Sequence, residues 1–230
     1  NCNWKTAVDA FAEAYHTAIT HPQLRWYMDD IDVQIDLYDK HSRYLIPFGL
    51  LSPRVESVGE IPPPLKFLLS DAGMDPASYE GPVNGIREAV QQHKRATQKE
   101  QGKDFSELHD EQLTDDYNYL VFPNVTTNMH SDDLMLFRHR PHPSDPNKCL
   151  FDIWMFDLIP DGEEWPELPK HDFRPEGSQR SLGQVIDQDA FNLPSVQAGM
   201  NSAAYPGLWL SDQELRLRHF HKTISDLTQK

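Results

Sequence analysis

Along the 230 residues the apolar positions change rhythm several times, and each rhythm predicts an element. From Trp4, the residues Val8, Phe11, Tyr15 and Ala18 recur three and four apart, which predicts an amphipathic helix over 4–20. Pro22 ends it, because a proline disfavours helical geometry in the residue before it. Ile31-Asp32-Val33-Gln34-Ile35-Asp36-Leu37 then alternates with period two, the mark of a half-buried antiparallel strand, and Tyr44-Leu45-Ile46 suits its hairpin partner. Six prolines and three glycines over 52–84 predict loop with one short helix, followed by a polar surface helix or mobile flap over 85–101. Strands are predicted at 117–121, 134–139 and 150–158, the last being rich in β-formers. A Pro/Gly loop at 160–178 precedes a short helix over 193–200 that Gly199 closes. Ser211-x-x-Glu214 is a capping box opening a final helix, whose Leu217, Phe220, Ile224 and Leu227 share one face.

Helix, antiparallel strands and a long last helix predict an α+β fold in a single domain spanning 1–230. A curved antiparallel sheet wraps around the C-terminal helix, as in helix-grip or START-like proteins. No strand–helix–strand alternation supports a parallel sheet. Charge narrows the partners: 21 Lys+Arg against 36 Asp+Glu give −15, which argues against nucleic acid and anionic membranes. No apolar run is long enough to span a bilayer, and the expected setting is cytoplasmic. Cys2 and Cys149 cannot frame a disulfide scaffold or a four-thiolate metal site, and Cys149 reads as a small buried apolar residue. The opening Asn1-Cys2-Asn3-Trp4-Lys5 lacks an initiator Met and any secretory pattern, as in a piece cut from something longer.

The sharpest chemistry lies in Glu13-Ala14-Tyr15-His16-Thr17-Ala18-Ile19-Thr20-His21. Glu13 and His16 fall three apart on one helix face, and a bend near the helix end aims His21 at the same point. Two imidazoles so placed can grip one divalent metal with a third ligand from elsewhere. With 11 histidines in the chain, this spacing alone also fits histidines without a metal. The H-E-x-x-H spacing of zinc proteases is absent.

Asn3-Trp4-Lys5, Asp9-Ala10-Phe11, Glu13-Ala14-Tyr15-His16 and His21 resemble the signature opening the catalytic domain of Rieske non-haem iron oxygenases. These are the α subunits of ring-hydroxylating dioxygenases and their demethylase relatives. Asp187-Gln188-Asp189-Ala190-Phe191-Asn192 with Val196-Gln197-Ala198-Gly199-Met200 is similar to the family's D-x-x-N…Q-x-G segment, and Tyr119-Leu120-Val121-Phe122-Pro123-Asn124 resembles its Y-x-x-F-P-N strand. The resemblance implies that His16, His21 and Asp189 form a 2-His-1-carboxylate triad for mononuclear Fe(II), leaving one face of the metal open. Asp187 is the local competitor, but Asp189 stands three before Asn192, as the family's ligand does. Glu13 resembles the acid that links an iron-ligating His to a cluster-ligating His on a neighbouring subunit, although many members carry Asp there. Asp9 is placed to hold the tautomer of a ligand imidazole.

A Rieske [2Fe–2S] centre needs two Cys and two His, which this chain cannot supply. The resemblance therefore implies the catalytic half of a longer α subunit, with the cluster in the missing part. It further implies a homotrimer, a reductase or ferredoxin as electron donor, and O2 with a small organic, aromatic substrate as reactants. Thr17 and Val185 are expected to lie beside bound substrate, with Tyr119 and Phe122 as looser candidates, and 52–104 as an entrance lid. His130, His139 and His142 read as turn-rich loop, while His219 and His221 fall on different helix faces. Competing readings are a monooxygenase or oxidative demethylase with the same iron, a metal-free helix-grip ligand-binding module, and a zinc hydrolase using Glu13 as base.

Overall fold

Six strands follow one another as an antiparallel meander, each hydrogen-bonded to its successor: β1 (Gln34–Leu37), β2 (Ser42–Ile46), β3 (Asp116–Val121), β4 (Val125–Met129), β5 (Asp133–Pro141) and β6 (Cys149–Asp157). The computed structural model describes residues 1–56, 59–178 and 180–229; Ser57 and Val58, within the expected loop 52–84, lie outside the described residues. The sheet is open, with β1 and β6 as its edges. Leu37 faces Ser42 across the first hairpin, and Val121 faces Val125 across the turn holding the cis Phe122–Pro123 bond.

β4 was not apparent from hydrophobic pattern, because its sequence Val-Thr-Thr-Asn-Met is mostly polar. Its buried Thr126 and half-buried Asn128 are satisfied by hydrogen bonds instead: Thr126 Oγ1 pairs with His139 Nε2 at 2.9 Å, and Asn128 Oδ1 accepts from Asn118 Nδ2 at 2.7 Å. β1 is shorter than the alternation over 31–37 predicts. Asp29 Oδ1 accepts the N–H groups of Ile31 and Asp32 at 2.8 and 2.9 Å, which folds that stretch into a turn.

The expected helix over 4–20 is two helices, α1 (Trp4–Phe11) and α2 (Thr17–Thr20). Asn3 caps α1 by accepting the Lys5 N–H at 2.9 Å. The break falls at Ala12–His16, where the Glu13 carboxylate accepts the His16 backbone N–H at 3.0 Å and so competes with the helical ladder. α3 (Pro63–Asp71) is the short helix expected within 52–84, and α4 (Ile86–Thr97) is the polar helix expected over 85–101. They share a small core of Leu65, Leu68, Leu69, Ala72, Ile86 and Val90. Ion pairs Arg87–Asp115, Lys94–Asp132 and Lys103–Asp132, at 2.8, 2.9 and 2.9 Å, tie this region to the ends of the strands. Gly49, at φ 85°, passes so close to α4 that a Cβ would stand 3.0 Å from the Arg87 Cα.

α5 (Gln184–Met200) is longer than the short helix expected at 193–200. Pro194 sits inside it, and Asp187 at its start accepts from the Leu182 N–H at 2.9 Å. α6 (Leu215–Thr228) follows the expected capping box, with Ser211 and Glu214 bonded reciprocally. It packs with α1 on the inner face of the sheet, joining Leu217 and Phe220 to Val8, Ala12 and Leu120. Full burial of one such side chain contributes ~1.5–3 kcal/mol. Arg216 is wholly buried, donating to Ser42 Oγ at 3.1 Å and Asn118 Oδ1 at 2.9 Å, with its guanidinium 4.5 Å from the Tyr44 ring. Burial lowers its pKa to about 10. Among the described residues no helix is long and apolar enough to cross a membrane.

Candidate metal centre

His16 and His21 bracket the single turn of α2, and Asp189 lies on the second turn of α5. The two segments meet because α5 runs along α1: Gln197 Oε1 accepts from the Asn3 backbone N–H at 2.7 Å and from the Thr6 hydroxyl at 3.2 Å. His16 Nε2 and His21 Nε2 are then 3.3 Å apart, and Asp189 Oδ1 is 3.1 Å from His21 Nε2 and 3.7 Å from His16 Nε2. Bonds of ~2.1 Å to a first-row metal separate adjacent donors by ~3.0 Å in octahedral and ~3.4 Å in tetrahedral geometry, so this donor set fits such an ion. Among the described residues, this is the one group of three His, Cys, Asp or Glu side chains that converges in this way.

The outer nitrogens are held as well. His16 Nδ1 is 2.5 Å from Glu13 Oε1, and His21 Nδ1 is 2.8 Å from Gln188 Oε1. Gln23 Nε2 in turn donates to Gln188 Oε1 at 2.8 Å. An acceptor on each Nδ1 keeps the proton there and turns the Nε2 lone pair toward the shared point. His21 and Asp189 are buried, whereas His16 is half-buried. Burial opposes a positive charge on His16, but Glu13 and Asp189 outweigh it and raise its pKa.

Glu13 is 9% exposed, and both of its oxygens turn on His16. Asp187 stands away from the triad, bonded to Ser181 and the Leu182 N–H. Asp9 meets neither ligand imidazole; it pairs with His221 Nε2 at 2.9 and 3.0 Å, so the expected role in holding a ligand's tautomer falls to Glu13 and Gln188. Burial raises the Asp9 carboxyl, partly offset by His221.

A cavity of about 220 Å³ adjoins the triad, and Thr17 and Val185 line it. Tyr119 and Phe122 do not. On β3 the side chains of Asp116, Asn118 and Leu120 point inward, while Tyr117 and Tyr119 lie on the outer face beside Arg43. Phe122 packs against Phe220 at a ring separation of 6.1 Å. The expectation that Tyr119 lies beside bound substrate is not met, because on β3 the Asp-x-Asn-x-Leu alternation is the inward one. Asp116, Asn118, Asn128 and His130 form the polar part of the cavity wall, with Tyr27, Met28, Tyr44, Phe48, Met135 and Phe137 around it. Burial pushes the Asp116 carboxyl up to about 6, opposed by the nearby positive charges of His130 and Arg216.

Other candidates resolve simply. His139 lies in β5, wholly buried, rather than in a loop. His130 Nδ1 faces Asp133 Oδ1 at 2.9 Å. Cys149 is half-buried with its Sγ 3.9 Å from that of buried Cys2, both as free thiols.

Among solved structures, the quaternary ammonium Rieske monooxygenase CntA with an inhibitor aligns at TM-score 0.52 and 14% identity, covering 97% of this chain and 45% of that one. The same enzyme with L-carnitine aligns at TM-score 0.47 and 14% identity, covering 97% and 45%. The chain thus spans less than half the length of these proteins, and at such identity the likeness establishes the fold alone. Comparison with curated proteins gives no match. The family described as ring hydroxylating alpha subunit (catalytic domain) matches residues 1–230, and with the whole length covered, the chain belongs to that family.

Proposed function

We propose that the chain holds one Fe(II) through His16 Nε2, His21 Nε2 and Asp189 Oδ1 and hydroxylates a small aromatic molecule in the adjoining cavity. The convergence of these three donors, each within 3.1–3.7 Å of the others, carries the reading. When bound, a facially ligated ferrous ion supplies O2 activation at its open face. The residues do the rest. Glu13 and Gln188 fix the two imidazoles as neutral ligands, so that with one carboxylate the site carries a net +1. Tyr27, Tyr44, Phe48 and Phe137 offer flat apolar surface to a ring, and Met28 and Met135 fill around it.

Ring dihydroxylation takes up O2, two electrons and two protons. The electrons come from a Rieske [2Fe–2S] centre in another part of the longer α subunit, reduced by a ferredoxin or reductase, in a trimer that sets a neighbour's cluster near Glu13. The Glu13–His16 contact of 2.5 Å is the entry point this chain offers.

Anaerobic reconstitution with Fe(II), wild type beside Asp189→Ala, tests the metal site. About one iron per chain, lost in the variant, is the expected result; equal iron in both overturns the ligand assignment. In the complete subunit, a cis-diol product supports dihydroxylation, whereas a single hydroxyl or released formaldehyde overturns it in favour of monooxygenation.

A further inference from the structure

The cavity holds a second polar group for which the metal site has no use. Asp116, at the start of β3, is 4% exposed and lines the cavity, and its Oδ1 is buried without a hydrogen-bond partner. His130, next after β4, lines the same cavity. Its Nδ1 faces Asp133 at 2.9 Å, while its Nε2 is buried and also unpartnered. Burial opposes a charge there, but Asp133 and Asp116 raise the His130 pKa, so its Nε2 takes up a proton readily and can accept or donate. Two buried polar atoms, Asp116 Oδ1 and His130 Nε2, therefore belong to the wall of one small cavity without a hydrogen-bond partner among the described residues, although the Met129 N–H bonds to the Asp116 carboxylate. Asn118, the nearest amide on the same strand face, spends Nδ2 on the Phe11 carbonyl and Asn128 Oδ1. Arg216 gives two of its nitrogens to Ser42 and Asn118.

A hydrocarbon ring filling this cavity would leave Asp116 Oδ1 buried without a hydrogen-bond partner, an arrangement that proteins avoid consistently. A ring bearing a hydroxyl or a protonated nitrogen would satisfy it. We infer that the molecule oxidised here carries a hydrogen-bond donor, a hydroxyl or a cationic N–H group, which Asp116 Oδ1 accepts beside His130 at a position other than the carbon being oxidised. The word substrate rests on the oxygenase reading; the binding preference stands without it.

The test is equilibrium binding of three ring-sized probes to the full chain under anaerobic conditions with equimolar Fe(II): benzyl alcohol, benzamidine and toluene. Wild type is expected to bind at least one donor-bearing probe ~10-fold or more tighter than toluene, since sites built to pair a donor discriminate strongly against isosteres lacking it. Asp116→Leu should shrink that preference to ~2-fold or less and tighten toluene. Toluene binding as tightly as both donors, a preference unchanged in Asp116→Leu, or no binding of any probe overturns the inference. The wild-type comparison decides even if the leucine variant misfolds, and Asp116→Asn serves as a second variant that keeps the side-chain shape. Iron content measured on the same samples separates the two readings. A donor preference without bound iron sinks the oxygenase reading only, and bound iron without the preference sinks this one.

Discussion

His21 and His139 are equally hidden from solvent, at 2% and 0% exposure, yet their surroundings differ in kind. His139 stands in β5 among Phe11, Phe137 and Phe151, with one ring nitrogen on Thr126 and the other unpartnered. Burial pushes its pKa down to about 3, so it packs as a neutral aromatic ring. His21 has an acceptor behind its outer nitrogen and a second imidazole with a carboxylate in front of its inner one. Depth alone does not make a ligand of a histidine. What matters is an acceptor behind the ring and other donors aimed at the same point in front.

Several substitutions press on that contrast. Replacing His21 or Asp189 with Ala should reduce iron from about one per chain to near zero by metal analysis, while His139→Phe should leave it unchanged. Retained iron in the first pair, or lost iron in His139→Phe, would erase the distinction. Next in size come the groups behind the rings. Glu13→Gln and Gln188→Leu should each weaken Fe(II) binding ~10–100-fold in anaerobic titration, because removing an outer-shell partner loosens ring orientation and tautomer. Affinity within twofold of wild type would mean the outer contacts are incidental.

How much of this was legible follows from the same contrast. The two segments that meet at the candidate centre stood out through their resemblance to the family's signatures, since the His16–His21 spacing alone also fits histidines without a metal. The strands at 117–121, 134–139 and 150–158 and the capped last helix followed from simple patterns, and all are observed within a residue or two of those bounds. β4 was hidden because buried Thr126 and half-buried Asn128 are satisfied by hydrogen bonds, which leave no apolar alternation. The break after Phe11 was hidden because no Gly or Pro marks it; a glutamate turning back onto His16 makes it. α5 was read as half its length because Pro194 looks like a boundary. The polar cavity wall was missed because Asp116 and Asn118 alternate with Tyr117 and Tyr119, and nothing in the sequence marks the acidic and amide positions as the inward ones.

Smaller effects sharpen the comparison through pH. An unfolded histidine titrates near 6.5, whereas folded His139 stays neutral to about 3. Between those values the unfolded state binds the extra proton, so His139 costs stability progressively as pH falls from ~6.5 toward ~3. His139→Phe should therefore gain ~3 kcal/mol relative to wild type on going from pH 7.5 to 4.5, read from urea midpoints. At pH 7.5 the same variant should lose only ~1 kcal/mol, the worth of the Thr126 hydrogen bond. A flat pH difference would show that His139 is protonated in the folded state.

The meander has one further consequence. Because the strands are laid down in chain order, the two ends of the ligand set come from opposite ends of the polypeptide, with the whole sheet between His21 and Asp189. Joining them through one ion would act as a clasp on a very long loop, the kind of cross-link that takes most freedom from an unfolded chain. An ion that binds only the folded form also raises the melting temperature in step with its free concentration. A scan of melting temperature against Fe(II) should thus climb logarithmically for the wild type and stay level for Asp189→Ala, making heat resistance a direct gauge of whether the clasp is shut.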